Sequence, residues 1–525
     1  MKLARTIEEM QRRWRVEIKS RAEASRPQAE IECAPADVAD LTGWLYAERS
    51  YRYAGLIVEQ GAVDWELRHV FHAEGEEGWI HVLVHRPLAE RTVPSISARV
   101  PAADWHEREV EDLFELTFEG HPHLGDFVLH NDAWQEGVAP MRKDFDARAP
   151  TRREPDANWR PPRIVHTPGA FAMPVGPIYS GVTESVHFLL ETVGEDVIHA
   201  YSRLFYKYRA VEKIAEGRTV ADALLLAERF NATTAFAHAL AFCQAIETIA
   251  AVVVPLRARA LRVLLAELER LRHHAGAIQE ICESTGLVVA ASQAAILEEE
   301  LLRLSGAFGG HRYLFGLAVC GGLSRDFADA ACRDCAQQAQ AILQRLDTLE
   351  RQLCTSSSFL DRLEEVGVIT EGEARTYGLV GPIGRASGVV GDLRRSQPYS
   401  GYADFTFDIP REQEGDGYAR LRLLFAEARQ SVRIMEQAAA TLPDGVVQAT
   451  CAIVAGAALG WTEAPRGTTL HWLRVGEHGL IVRCRLLTPS FINWRSLHLA
   501  TENFAFQDFP IILASLGLSV AESDR

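Results

Sequence analysis

The chain has 525 residues, more than one ordinary domain holds, so two or three domains are expected. Apolar residues make up 47% and charged residues 24%, the balance of a globular protein with a sizeable core. The formal net charge of −16 excludes a dedicated nucleic-acid binder, because no cationic excess exists to neutralise phosphates, and it argues against direct binding to anionic lipid.

The start, Met1 to Arg21, is charged and amphipathic and lacks the apolar core of a signal peptide. Helical patterning is read over Thr6–Ala24 and Pro35–Ser50, then short strands over Trp65–His72, Trp79–His85 and Ser95–Val100, then a helix over Ala103–Phe114. Arg148–Arg163 is rich in proline and arginine and reads as an interdomain linker or extended arm. Strands are expected at Phe171–Val175, Val186–Val193 and Val197–Ala200. Long helices follow. Ala235–Val254 is apolar almost all round, so it is expected to be buried. Pro255 should break the chain before a helix that carries Leu261, Leu264, Leu265, Leu268 and Leu271 on one face. Further helices are expected at Ala290–Phe308, Ser324–Ser356 and Arg411–Leu442, with strands at Thr468–Val475 and Gly479–Leu487. No run of about 18 apolar residues occurs, so no transmembrane helix is expected. The predicted class is α+β, with a mixed α/β domain over 1–147, a linker over 148–163, and a mainly helical bundle with small β elements over 164–525.

The nine cysteines are odd in number and irregularly spaced, which fits reduced thiols. Cys332 and Cys335 form a Cys-x-x-Cys inside a helical stretch without a second pair. Two thiols on one helix face explain it, the alternatives being a zinc half-site or a redox pair. His273 and His274 are adjacent and point about 100° apart on a helix, so they are read as structural or surface residues rather than a chelating pair.

Several short motifs occur in a definite order. Trp105-His106-Glu107-Arg108-Glu109-Val110-Glu111-Asp112-Leu113-Phe114 is followed by Phe118-Glu119-Gly120-His121-Pro122. Then come Gly176-Pro177, Arg203-Leu204-Phe205-Tyr206 with Glu212-Lys213, and Phe236-Ala237-His238 with Ala245-Ile246-Glu247. Arg385-Ala386-Ser387-Gly388, Pro398-Tyr399-Ser400-Gly401-Tyr402, Glu463-Ala464-Pro465-Arg466-Gly467 and Pro489-Ser490-Phe491-Ile492-Asn493-Trp494 complete the set. Taken singly, Gly388, Gly401 and Gly467 would only mark turns. As an ordered set, the first part resembles the C subunit of bacterial NADH–quinone oxidoreductase (complex I). The second resembles its D subunit, and more closely the large subunit of formate hydrogenlyase-type (group 4) nickel–iron hydrogenases, which carry both parts fused in this order.

That resemblance implies a nickel–iron centre held by two Cys-x-x-Cys pairs, since soft thiolates select such metals. Here Asn231 and Thr234 stand at the first pair of positions, and Ser519 and Glu522 at the second. No nickel–iron centre is therefore expected, and no metal ligand on this chain. The histidine and tyrosine that head the quinone tunnel of the D subunit fall on Thr183 and Ala232. Glu184 matches a glutamate that passes protons in these hydrogenases, and Arg466 an arginine that overhangs their metals. The two are read either as a salt bridge closing the old cavity or as proton-handling groups. His311 matches a histidine near the neighbouring subunit's iron–sulfur cluster.

By resemblance, the expected function is the large subunit of a membrane-bound, ion-translocating redox complex of the energy-converting hydrogenase-related kind. The chain itself would bind no cofactor. Its expected partners are a small subunit like the complex I B subunit, with a [4Fe–4S] cluster, and membrane subunits of complex I or antiporter type, which would hold it on the cytoplasmic face. Two alternatives stand beside it: a quinone- or other acceptor-reducing subunit of NADH dehydrogenase type, and a non-catalytic scaffold.

Overall fold

The computed structural model describes residues 2–20, 28–74, 77–149, 160, 163–179 and 184–525. Most of the expected linker and Thr183 lie outside the described residues.

The N-terminal part is built on a five-stranded sheet of order β1-β2-β5-β4-β3, from β1 (Val16–Ser20), β2 (Gln28–Cys33), β3 (Tyr51–Gln60), β4 (Asp64–Ala73) and β5 (Trp79–Pro87). Only β2 and β5 pair in parallel; the other neighbours are antiparallel. The helix expected over 6–24 stops at Arg13, and β1 follows. Val16 and Ile18 alternate with Glu17 and Lys19, a period of two that lets them sit opposite Cys33 and Ile31. Strand β3 has no counterpart among the expected elements.

The strand expected at 95–100 is also absent. β6 (Thr92–Pro94) pairs with β7 (Thr117–Glu119), and the chain then turns inward. There Ser95 and Ser97 donate their hydroxyls to Glu107 at 2.5 and 2.7 Å, and the Ile96 N–H donates to the same carboxylate at 2.8 Å. One buried carboxylate thus takes the place of a strand partner. Glu107 belongs to the Asp104–Phe114 helix, which stops at Glu115 in the left-handed region.

A second antiparallel sheet joins β8 (Ala170–Val175), β9 (His187–Val193) and β10 (Asp196–Arg203). The bundle follows, with helices Ala235–Ile249, Leu256–Ser284, Val288–Gly309, Asp329–Leu353 and Gly417–Ala440. Pro255 stands immediately before the second of these, a position where its missing N–H costs nothing. The short hairpin β11 (Ala318–Val319) and β12 (Gly322–Leu323) lies between helices.

The chain ends in an antiparallel sheet of β13 (Gly456–Ala464), β14 (Gly467–Val475) and β15 (Ile481–Leu487), then short helices. β13 escapes sequence reading because Gly456-Ala457-Ala458-Leu459-Gly460 lacks β-branched residues. Its smallness has a cause: a Cβ on Gly460 would sit 2.0 Å from the Ala241 carbonyl of the apolar helix it packs on. Among the described residues, no helix is long and apolar enough to cross a membrane.

Candidate functional site

Three distant segments, joined by Ser490 of the short helix Pro489–Asn493, meet at one buried point. They are the turn that starts the Ala235–Ile249 helix, the β13–β14 hairpin, and the short C-terminal helix Val520–Ser523. Glu522, fully buried, is the centre. Its Oε1 accepts from Asn231 Nδ2 at 2.7 Å, Thr234 Oγ1 at 3.0 Å and Arg466 Nη1 at 3.5 Å. Its Oε2 accepts from Ser490 Oγ at 2.5 Å and the Ser490 N–H at 3.3 Å. Ser519 caps the terminal helix by accepting from the Glu522 N–H, and donates its own N–H to Ser490 Oγ at 3.1 Å. The four residues at the expected thiolate positions are therefore one hydrogen-bonded cluster.

Burial alone would raise the Glu522 carboxyl. The Arg466 guanidinium, together with His238 and Ser490, outweighs it and holds the acid down to about 2. His238 Nε2 stands 4.0 Å from Glu522, and its Nδ1 lies 3.0 Å from His471 Nε2 on β14. His471 carries no signal in the sequence, since it sits in an apolar strand between Leu470 and Trp472.

Arg466 occupies the two-residue turn between Ala464 and Gly467. It also donates to Thr233 Oγ1 at 2.8 Å and to the Gly517 carbonyl at 2.9 Å. Two glycines set its place. A Cβ on Gly381 would come within 1.9 Å of the Arg466 carbonyl, and one on Gly467 within 2.8 Å of the Gly381 nitrogen, so the turn and the start of the short helix Gly381–Ala386 touch backbone to backbone. Glu184 and Arg466, read from the sequence either as a salt bridge or as proton-handling groups, do not pair with each other. The carboxylate partner of Arg466 is Glu522, because the short helix that holds Glu522 comes up under the hairpin. Glu184, exposed, instead accepts from the Val520 and Ala521 N–H groups at 2.6 and 2.9 Å, capping that same helix from outside.

Around this point the ordered motifs resolve into buried ion networks. Arg385 donates to Glu427 at 2.7 Å and Glu463 at 2.8 Å, and His274 meets Glu427 at 2.9 Å. Arg394 bridges Asp392 at 2.7 Å and Glu267 at 3.1 Å, and Glu267 also accepts from Tyr402 and Ser431. Tyr399 accepts from the Glu463 N–H at 3.0 Å. Sequence reading singles out Arg385, Tyr399, Tyr402 and Glu463 as motif members but misses Glu267 and Glu427, which lie in ordinary-looking helical stretches, and Asp392 and Arg394, which cap and start a four-residue helix. A second network links Glu212 and Glu109 to Arg483, Arg485 and Arg525.

The other singled-out residues lie elsewhere. His311 is exposed at the end of the Val288–Gly309 helix, stacked on Phe315 with centroids 4.2 Å apart. Ala232 lies in the turn beside Thr234. Cys332 and Cys335 are both buried among the bundle's apolar residues. His273 and His274 are buried, not on the surface. Among the described residues, no group of three or more His, Cys, Asp or Glu side chains is placed to hold a metal ion.

The comparisons with known proteins agree with this architecture. The family model of the respiratory-chain NADH dehydrogenase 30 kDa subunit matches residues 31–151, and that of the 49 kDa subunit matches 286–454 and 446–525. Formate hydrogenlyase subunit 5 of Escherichia coli K12 is 31% identical over 459 residues, covering 86% of this chain and 80% of that protein. The chain belongs to the complex I and hydrogenase large-subunit family. Hydrogenase-4 component G of the same organism is 30% identical over 464 residues, covering 87% of this chain and 80% of the relative. The C/D subunit of NADH-quinone oxidoreductase from Methylococcus capsulatus is 26% identical over 493 residues, covering 85% of this chain and 83% of that protein. As a family member, the chain holds a 30 kDa-type part followed by a 49 kDa-type part in one polypeptide, in an α+β fold.

Proposed function

We propose that this large subunit serves a membrane-bound, ion-translocating redox complex in which the nickel–iron centre has been replaced by the Glu522 cluster. One observation carries the reading. Both oxygens of Glu522 are engaged by amide, hydroxyl, guanidinium and backbone donors, and its neighbours offer no thiolate. This donor set does not fit a nickel–iron centre: hard, neutral oxygen and nitrogen groups bind soft, low-valent metals poorly, and the carboxylate's lone pairs are already used. The cluster supports a polar plug that keeps the fold of the site without its metal.

The partners follow from the relatives. Formate hydrogenlyase subunit 5 and hydrogenase-4 component G are, by name, parts of larger assemblies. A small subunit with a [4Fe–4S] cluster is proposed to dock on the side of His311, and membrane subunits to hold the whole on the cytoplasmic face. The 148–163 segment is proposed as the linker between the two parts. An N-terminally tagged chain, recovered from its native cells without denaturant, should bring down an iron–sulfur protein and antiporter-like membrane subunits in mass spectrometry. Recovery of the chain alone, at its native expression level, counts against the reading.

Glu184 is proposed to pass protons at the mouth of the plugged site. It is exposed, ionisable and hydrogen-bonded to the first N–H groups of the terminal helix that holds Glu522. Glu184→Gln keeps the shape and one backbone acceptor but cannot exchange a proton. It should leave the complex assembled and lower coupled turnover roughly 10²-fold, the low end of general acid–base contributions. Normal turnover in an assembled variant would remove Glu184 from the pathway.

A further inference from the structure

A second site lies away from Glu522, where the Asp104–Phe114 helix meets β10 and the segment from Trp494 to His498. Here the surface encloses a cavity of about 410 Å³, within the range that accepts a small organic ligand. Trp105, Tyr201 and Trp494 supply flat ring surface, and Arg108, Arg203 and Arg495 supply cations, against Asp126 as the single carboxylate of the described lining.

The three cations are unequally neutralised. Arg203 pairs with Asp126 at 3.5 Å and with Asp132, and Arg495 pairs with Asp104. Arg108 donates only to the backbone carbonyl of Asp126, at 3.1 Å, and lies over the Phe127 ring with 4.4 Å to its centroid. Among the described residues, no carboxylate comes within ion-pair distance of Arg108; Asp112, Asp126 and Glu111 act on it only from farther off. Arg108 Nε and Arg495 Nε are both buried without an acceptor. Both guanidiniums are thus under-satisfied by the chain's own acceptors. Burial pulls both guanidiniums below their ordinary range, Arg495 to about 10.

We infer that this cavity binds a nucleoside monophosphate, its heterocycle lying on the rings of Trp105 and Tyr201 and its phosphate accepting from Arg108 and Arg495. A phosphate fits better than a carboxylate because it offers more acceptor oxygens to donors that arrive from two separate elements. Flat bases lie readily on aromatic and guanidinium faces. The site is independent of the Glu522 cluster and of the function proposed above.

The test is calorimetric titration of the full chain with AMP, adenosine and inorganic phosphate. AMP should bind about tenfold or more tightly than either half, and Arg108→Met should lower AMP affinity by about tenfold while leaving adenosine unchanged. Arg108→Lys should fall between, since it keeps the charge and loses the planar fork. AMP should also quench tryptophan fluorescence, and Trp105→Phe should shrink that quench. AMP binding no tighter than adenosine, or an Arg108→Met variant with unchanged affinity, would overturn the assignment. If Arg108→Met lowers the melting temperature of the free chain, His123→Ala takes its place, since exposed His123 lines the same cavity: about threefold weaker AMP binding is expected from the loss of this polar wall group, and unchanged binding counts against the site.

Discussion

Replacing Glu212 by alanine should lower the stability of the chain by about 3–5 kcal/mol, the cost of stranding buried charge. Glu212 is fully buried at the start of a five-residue helix. Its carboxylate meets Arg485 at 3.1 Å, Arg483 at 3.2 Å and Arg525 at 3.2 Å, and accepts from the Leu486 N–H at 2.9 Å. Glu109, from the N-terminal part, meets Arg485 at 2.5 Å and Arg525 at 2.6 Å. Three guanidiniums are thus balanced by two carboxylates, and the network ties the first part of the chain to its last residue. Burial would raise the Glu212 carboxyl, but Arg485, Arg483 and Arg525 outweigh it and hold the acid down to about 2. A loss of several kcal/mol is a large share of the roughly 5–15 kcal/mol by which a typical fold is stable. Urea unfolding followed by circular dichroism should therefore show a much lower midpoint for Glu212→Ala. Glu212→Gln, which keeps an acceptor for Leu486, should fall between. A midpoint equal to the parent's would show that the network contributes nothing net.

Loss of the Glu522 carboxylate should cost about 3 kcal/mol at neutral pH, from the difference between a folded-state value of about 2 and the ordinary 4.5. The sign follows from the direction of the shift. A depressed carboxyl stabilises the fold fully above its unfolded value, and that contribution drains away as pH falls from about 4.5 towards about 2. Glu522→Ala should accordingly be less stable than the parent at pH 7, and the gap should close in acid. Arg466→Met in the same chain should restore part of the loss, because Arg466 is then no longer left without its carboxylate. A gap that stays constant from pH 7 to pH 3 would mean that Glu522 is not the charged centre of the cluster.

Much of this is open to reading from the residues. The bundle helices follow from apolar spacing and from Pro255, and the ordered motifs carry the family. The N-terminal sheet is harder. β1 lies inside a stretch that looks helical because its charges alternate with only two apolar residues, and the 95–100 segment looks extended while its partner is a side chain, Glu107, rather than a strand. At the site, Asn231, Thr234, Ser519 and Glu522 are legible from the resemblance, and the structure brings the four together. What cannot be read is which carboxylate Arg466 meets. That depends on how the last helix docks under the β13–β14 hairpin, a contact between residues 56 positions apart. The buried partners Glu267 and Glu427 are equally silent, since charges on a helix read as a solvated face until the fold encloses them, and Asp392 and Arg394 sit at the start of a helix of only four residues.

The proposed function places the Glu522 cluster where the resemblance would put a nickel–iron centre. The most direct measurement is the nickel content of the complex purified from its native cells with nickel in the medium, by plasma mass spectrometry. The donor set of Asn231, Thr234, Ser519 and Glu522 predicts nickel well below about 0.1 per chain, whereas about one nickel per chain, retained through gel filtration, would contradict it.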